Sequence, residues 1–199
     1  MYTKIIKNTS KGFLKKLFGQ NHIEKIALSE DGFVVFMDKG DEIPLYFKDI
    51  KAVKSNFYFD KITPHRTITI LMNDQKEYSA DIAPEKEEID SVLKHYAKYQ
   101  LNGDIPEEIN SIKVILQYGL NDYNIRIENG NLIETKRGRD ASFPLNTIEY
   151  YRIDKPSNTI NIKFKDKKTF ITLSAIHVTN IWLVLEILEK LAKKQKWPI

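Results

Sequence analysis

The chain has 199 residues, with 31 lysines and arginines against 27 aspartates and glutamates, and a formal net charge of +4. Apolar residues make up 42% and charged residues 29%, which is typical of a folded globular protein and argues against a disordered chain. There is no cysteine, which excludes a disulfide framework, a thiolate nucleophile and any zinc site built with cysteine. The longest apolar stretch, residues 181–185, is far shorter than the roughly 20 residues of a membrane span, and no signal peptide follows Met1. We therefore expect a cytoplasmic protein.

The N-terminal region, residues 1–21, is predicted to be a basic amphipathic segment. Its first 20 residues hold five lysines and no acidic residue. Such a segment docks on its own domain or lies on an anionic membrane surface, and we favour docking because two helical turns are short for membrane binding. The residues that form its apolar and basic sides are Phe13, Leu14, Lys15, Lys16, Leu17 and Phe18.

Residues 22–101 are predicted to form a first domain of short β-strands closed by a helix. The strands are expected over residues 23–28, 33–37, 43–47, 50–59, 67–72 and 77–82. Ile68, Ile70 and Met72 alternate with other residues, as in a strand with one buried face. Pro44 lies inside a predicted strand, where proline is tolerated only at an edge or a bulge. The closing helix is expected over residues 84–100, with an apolar face at positions 89, 92, 93, 96 and 99.

Residues 102–110 are predicted to be a linker, and residues 111–199 a second domain built like the first. Its strands are expected over residues 112–118, 124–128, 132–135, 142–145, 148–153, 159–164 and 169–173, and its helix over residues 177–194. Residues 67–98 align with residues 159–190 without a gap and share 10 identities in 32 positions. Upstream, Ile43-Pro44-Leu45 is similar to Phe143-Pro144-Leu145. The chain is therefore interpreted as a duplication.

Six or seven short antiparallel strands closed by one C-terminal helix resemble the pleckstrin-homology-like (PH-like) barrel. The resemblance is carried by the blocks from Ile43 to Lys98 and from Phe143 to Lys190, and two such copies resemble bacterial proteins with tandem PH-like domains. It implies a mostly β, α+β fold of two tandem PH-like barrels. It also implies a non-catalytic module that binds anionic lipid headgroups, peptides or protein surfaces. A tandem of lipocalin-like or SH3-like barrels is the alternative, although the closing helix argues against the SH3-like one.

Basic residues of the second domain suggest an anion-binding site. Residues 21–103 carry a balance of −4, whereas residues 104–199 carry +3. Lys136, Arg137 and Arg139 are expected in a hairpin loop around Gly138, and arginine can bind a phosphate through two parallel hydrogen bonds. Solvated loops also carry such charges routinely. A second basic cluster is formed by Lys163, Lys165, Lys167 and Lys168.

The second closing helix is apolar on nearly all sides. Asp90, Ser91 and His95 of the first helix align with Trp182, Leu183 and Ile187 of the second. Something must cover these side chains. We favour packing against the first domain, and a homodimer or a partner protein is the alternative.

No catalytic or metal-binding pattern is found. The four histidines are scattered, and there is no glycine-rich phosphate loop, nucleophile elbow or dinucleotide fingerprint. We therefore predict neither an enzyme nor a cofactor or metal. Tyr150, Tyr151 and Arg152 are residues of the types that stack on bases and bind a nucleic-acid backbone. We do not expect nucleic acid as a partner, because a net charge of +4 is modest and neighbouring tyrosines on a strand face opposite sides.

We predict an adaptor that binds a protein or a peptide, with strand edges beside Pro44 and Pro144 accepting an added strand. The alternative is reversible binding to an anionic membrane through Lys136, Arg137, Arg139 and the N-terminal segment.

Overall fold

The structure is a computed structural model. It describes residues 4–7, 23–37, 40–55, 66–82, 86–104, 106, 108–118, 123–175 and 177–195. The chain divides into two compact units. Met1–Phe57 and Lys61–Tyr96 form the first, and Tyr58–Asp60 and Ala97–Ile199 form the second.

The first unit has two antiparallel sheets and the greater part of a helix. The four-stranded sheet contains β1 (Lys4–Lys7), β2 (Ile23–Ser29), β3 (Gly32–Met37) and β4 (Glu42–Tyr46), adjacent in chain order. A short 3₁₀ turn, Phe47–Asp49, leads into the three-stranded sheet of β5 (Ile50–Ser55), β6 (Arg66–Met72) and β7 (Glu77–Ile82). Helix α1 (Lys86–Leu101) follows, and Val92, Leu93 and Tyr96 on it are buried.

The second unit has the same order of elements. A 3₁₀ turn, Ile109–Ser111, precedes the four-stranded sheet of β8 (Val114–Tyr118), β9 (Asn124–Glu128), β10 (Asn131–Lys136) and β11 (Arg139–Pro144). Another 3₁₀ turn, Leu145–Thr147, leads into β12 (Ile148–Asp154), β13 (Thr159–Phe164) and β14 (Ile171–Ser174). Helix α2 (Ile181–Gln195) follows. The mostly β, α+β class is therefore confirmed.

Two features of this architecture differ from the sequence-based expectation. Within the described residues, each unit holds two separate sheets, not one closed barrel. The first sheet also has a strand, β1, in the region where only the amphipathic segment was predicted, and its Ile6 is buried against the sheet interior. The predicted strand over residues 50–59 ends at Ser55 in the described part of the chain. Residues Phe13 to Phe18 of the amphipathic segment lie outside the described residues.

The predicted duplication agrees with the strand pairing, and the pairing corrects the upstream alignment. Both units have a bulge after the first residue of the fifth strand, between Ile50 and Ala52 in one and between Ile148 and Tyr150 in the other. The Phe47 N–H donates to the Asp31 carbonyl, and the Leu145 N–H donates to the Gly130 carbonyl. Phe47 and Leu145 are therefore equivalent, and Phe143 is the counterpart of Leu45. In this corrected alignment the two prolines do not coincide, because Pro144 lies two positions further along its strand than Pro44.

The two prolines nevertheless share one hydrogen-bonding environment. In an antiparallel pair, directly opposed residues alternate between hydrogen-bonded and non-hydrogen-bonded positions. The hydrogen bond from Leu145 to Gly130 fixes this alternation, and Pro144 opposite Asn131 falls on a non-hydrogen-bonded position. Pro44 opposite Val34 does the same in β4. Each ring nitrogen thus faces the open edge of its sheet, as predicted for an edge strand.

The last hairpin of the second unit is one residue longer than the last hairpin of the first unit. Ile70 pairs with Tyr78, whereas its counterpart Ile162 pairs with Ile171. The counterpart of Tyr78 is therefore Ile171 and not Phe170, because the second hairpin contains one extra residue.

Helix α2 is shorter and is buried on a different face than predicted. It begins at Ile181 and not at residue 177, because Val178 forms a β-bridge with Gln117. Its buried side chains cover about half of its circumference at 3.6 residues per turn, and Leu185, expected inside, is only half-buried. The buried residues of α2 are Ile181, Leu183, Val184, Ile187, Leu188, Leu191 and Ala192.

Candidate binding surfaces of the second unit

The predicted basic loop is the tight turn between β10 and β11. Lys136 pairs with Arg139, so the turn has two residues, Arg137 and Gly138, both with positive φ (52° and 72°). This is the type I′ geometry that matches the twist of a hairpin, and glycine tolerates it at no steric cost. Lys136, Arg137 and Arg139 are exposed, and none has an ion pair within the described residues. Their positive charges are therefore available to an anion.

The second basic cluster divides into engaged and exposed lysines. Lys163 donates to the Lys167 carbonyl, and the Lys167 ammonium lies 3.7 Å from a Glu134 carboxylate oxygen and 4.0 Å from the Phe143 ring centroid. Lys165 and Lys168 are exposed. Because Glu134 lies on β10, two residues before Lys136, the structure brings the two predicted clusters close to one another. Only part of the second cluster is free to bind a ligand.

A polar network covers one face of β9, β10 and β11. The Arg126 guanidinium donates to Asp140 at 2.6 Å and to the Thr135 hydroxyl at 2.7 Å, and it lies 3.3 Å from Glu128. Hydrogen bonds from Arg126 and Thr135 hold the pKa of Asp140 below its ordinary value of 3.8. This network holds Asp140 and the neighbouring part of β11 in a fixed position.

Tyr123 and Glu134 form a second polar contact in the same unit. The Tyr123 hydroxyl donates to Glu134 at 3.1 Å. Burial raises the pKa of Tyr123 to about 12, and the Glu134 charge and hydrogen bond act in the same direction. Glu134 is thus shared between a neutral phenol and the Lys167 ammonium.

Strand β11 has an open edge. It is the last strand of its sheet, and no described strand pairs with its outer side. The alternation that places Pro144 at the edge also directs the N–H and C=O groups of Asp140 and Ser142 away from β10. Residues 139–142 are exposed on both faces of the strand. Two adjacent outward positions with intact N–H groups are therefore available for pairing.

Strand β4 of the first unit has a less continuous edge. Its outward positions are Glu42, Pro44 and Tyr46, by the same alternation. Pro44 lies between the other two and has no N–H, so it interrupts a ladder in its middle. In β11 the proline lies at the end of the strand. The edge beside Pro144 is thus the better of the two predicted edges.

A cavity of about 910 Å³ opens beside the end of β11, and the sequence analysis did not predict it. Its walls come from the 3₁₀ turn at Ile109–Ser111, the turn between β9 and β10, the Pro144 end of β11 and the last turn of α2. Such segments are distant in sequence, so the only sequence signal was the turn at Asn129-Gly130. Its lining residues are Glu108, Ile109, Asn110, Asn129, Gly130, Asn131, Pro144, Leu145, Asn146, Leu191, Lys194 and Gln195.

The predicted interface residues of α2 lie mainly inside the protein. Leu183 and Ile187 are 0% and 1% exposed, and Trp182 is half-buried. The chain itself covers Leu183 and Ile187, so in this structure these two side chains do not offer a surface to a second copy or to a partner.

The aromatic residues considered for nucleic acid are split between the two faces of β12. Tyr150 packs against Phe170 with ring centroids 6.0 Å apart, and Arg152 lies 4.6 Å above the Phe170 ring. Burial raises the pKa of the adjacent Tyr151, with a further contribution from Glu189.

The described part of the chain contains neither a metal-binding cluster nor a helix that could span a membrane. No three side chains of the histidine, aspartate and glutamate types come together there in a way that would hold a metal ion. Neither α1 nor α2 has the length and apolar character of a membrane-spanning helix.

No protein-family model matches the chain, and no curated protein matches it. Among solved structures, it is similar to a chain described as "Structure of the Spt16D Pob3N heterodimer", with 14% sequence identity. The match covers 75% of this chain and 86% of that chain, and its TM-score is 0.28. A similarity at this level carries no functional argument.

Proposed function

We propose that this chain is a non-catalytic binding protein of the cytoplasm, built from two PH-like units in tandem as in bacterial proteins with such domains. Its partner is an extended peptide segment of another protein, which adds as a strand to β11. The order of a four-stranded sheet, a three-stranded sheet and a closing helix, present twice, supports the PH-like assignment.

The single observation that carries the proposal is the open edge at Asp140 and Ser142. Main-chain groups at a sheet edge bind an extended peptide by β-augmentation, and side chains at alternate positions add specificity. The edge is formed before binding, because Arg126 donates a hydrogen bond to Asp140 and the type I′ turn fixes the register of β10 and β11. A preorganised edge lowers the entropy that binding must overcome.

Replacement of Ser142 by proline tests this proposal. Because the Ser142 N–H points away from β10, Ser142→Pro removes a hydrogen bond to an added strand and leaves the bonds to β10 in place. The peptides are those that the wild-type chain selects from a random phage-displayed library. We expect their affinity for Ser142→Pro to be at least about tenfold lower, which is close to the free energy of one hydrogen bond. Affinity is measured by isothermal titration calorimetry.

Ser142→Ala is the matched control, since it removes the hydroxyl but keeps the backbone N–H. It should bind the selected peptides as the wild type does, and both variants should retain the wild-type circular dichroism spectrum. Equal affinity of a folded Ser142→Pro variant and the wild type, or no peptide selected at all, would contradict strand addition at β11.

A second candidate function is binding to an anionic membrane, favoured by the exposed Lys136, Arg137 and Arg139, which have no ion pair in the part of the chain that the structure describes. In the double variant Arg137→Glu, Arg139→Glu, we expect binding to vesicles that contain phosphatidylserine to fall to the level of neutral vesicles, because the charge of the tip is reversed. Co-sedimentation measures this. Absence of wild-type binding at low salt would remove this function, while strand addition would be unaffected.

A further inference from the structure

The cavity beside β11 is built from neutral amides around an apolar floor. Ile109, Leu145 and Leu191 contribute the floor and are 8%, 3% and 5% exposed. The charged groups of the rim are one carboxylate, Glu108, and one ammonium, Lys194, whose charges offset each other. Five side-chain amides complete the wall: Asn110, Asn129, Asn131, Asn146 and Gln195.

This set of groups fits an uncharged amphipathic ligand. A carboxamide side chain offers both an N–H donor and a carbonyl acceptor, which are the groups that a peptide bond needs from its partner. Asn131 donates to the Asn129 carbonyl at 2.8 Å, whereas Asn110, Asn129 and Asn146 make no side-chain hydrogen bond within the described residues. The volume lies in the range of ligand cavities that hold a small molecule or a short peptide.

The position of the cavity connects it to the open edge of β11. Pro144 is the last residue of β11 and also lines the cavity, and Leu145 and Asn146 continue directly from it. A strand rises about 3.4 Å per residue, so the cavity begins roughly 7 Å beyond Ser142, a distance that two residues of an added strand span. A peptide paired with Asp140 and Ser142 and continued by two residues would therefore reach the end of β11 at which the cavity opens.

We infer that this cavity is the specificity pocket for that peptide, which places in it an aliphatic side chain and the peptide groups on either side. The inference rests on the proposed strand addition to β11. The aliphatic side chain contacts the floor formed by Ile109, Leu145 and Leu191. The flanking peptide groups bind the asparagine amides of the rim.

N-acetyl-L-leucine N-methylamide, one leucine with a peptide group on each side, is the probe that tests the pocket. It is titrated into the ¹⁵N-labelled full chain and followed through the side-chain amide signals of the asparagines. We expect saturable shifts of the Asn129, Asn131 and Asn146 signals, with a dissociation constant in the millimolar range expected of so small a ligand. N-acetyl-L-aspartate N-methylamide should bind more weakly, because the floor is apolar.

Lys194→Trp and Lys193→Trp form a matched pair of variants. Both lysines are exposed in the last turn of α2, but only Lys194 lines the cavity. We expect Lys194→Trp to block the pocket and to weaken both the leucine probe and the phage-selected peptides at least about tenfold. Lys193→Trp should bind both as the wild type does.

The results of these experiments distinguish a failure of the proposed pocket from a failure of strand addition at β11. Selected peptides that depend on Ser142 but bind Lys194→Trp and wild type equally would overturn the pocket and leave strand addition standing. A second outcome is that the leucine probe shifts the asparagine signals and binds Lys194→Trp more weakly, while Ser142→Pro affects no peptide. This result would overturn strand addition and, with it, the peptide as the occupant of the pocket. Absence of any saturable shift with the leucine probe would also overturn the pocket.

Discussion

At the scale of single residues, Arg126 shows how one side chain organises the second unit. It contacts an acid on the same strand, Glu128, an acid near the hairpin tip, Asp140, and the hydroxyl of Thr135 between them. A hydrogen bond with Lys113, and then one with Arg126, lowers the pKa of Glu128 below 4.5, and that of Asp140 is lowered as well. Acids with lowered pKa values stabilise the folded state above their ordinary pKa, and this contribution is lost as the pH falls through the lowered value.

Arg126→Met should therefore destabilise the chain in a pH-dependent way. At pH 7 we expect the variant to unfold at a lower urea concentration than the wild type. The difference in urea midpoint between the variant and the wild type should shrink as the pH falls below 3.8. At that pH Asp140 and Glu128 become protonated in the folded as well as in the unfolded chain, and Arg126 no longer faces charged partners. Urea unfolding at a series of pH values, followed by circular dichroism, measures this. Arg139→Met is the control, because Arg139 is exposed and has no ion pair within the described residues, and its effect should not change with pH.

Gly130 shows a second residue-scale constraint. Its φ is +71°, and a Cβ built on it would lie 2.4 Å from the Asn110 amide oxygen. The sequence predicted a turn at Asn129-Gly130, which the structure contains. The contact with Asn110 was not predictable, because Asn110 lies in what the sequence presents as a linker.

At the scale of the elements, periodicity predicted most strands and both helices, but the buried face of α2 depends on packing. The gapless alignment placed Leu185 in the core and Leu183 outside it, since Leu183 aligns with Ser91. In the structure Leu183 is fully buried and Leu185 is half-buried. The buried residues of α1 lie on the predicted face, whereas the buried pairs 183/184 and 187/188 of α2 correspond to 92/93 and 96/97, one position away from that alignment.

Leucine-to-alanine variants of α2 test this register. Leu183→Ala should lower the free energy of unfolding by about 2–5 kcal/mol, because it leaves a cavity in a closely packed core. Leu185→Ala should cost less, since its side chain is partly in water before the change. Equilibrium urea unfolding gives both values. An equal or larger loss for Leu185→Ala would show that the aligned register is correct.

At the scale of the whole molecule, the uneven charge determines which functions respond to salt. The segments 1–20, 21–103 and 104–199 carry balances of +5, −4 and +3. Binding of the basic tip to anionic vesicles should therefore weaken steeply between low salt and physiological ionic strength, where the Debye length falls to about 8 Å. Strand addition at Asp140 and Ser142 relies on main-chain hydrogen bonds and should change little. Repeating the vesicle and peptide measurements over a range of NaCl concentrations distinguishes the two.

The sequence by itself determined the class of fold, the order of the elements and the duplication. Alternation and helical spacing are local properties, and they repeat when the same unit is encoded twice. The hairpin turn at Arg137 and Gly138 was also predictable, because a turn depends on the residues within it.

Only the tertiary structure decided the candidate sites. Strand register placed Pro144, Asp140 and Ser142 on an open edge, and a shift of one residue would have reversed their roles. The cavity joins the turn of β9 and β10 to the end of α2, residues more than 60 positions apart, so no local pattern encodes it. The tertiary structure also gives Lys163 and Lys167 partners within the second unit, the Lys167 carbonyl and Glu134. Sequence patterns do not show such pairing when the partner is distant in the chain.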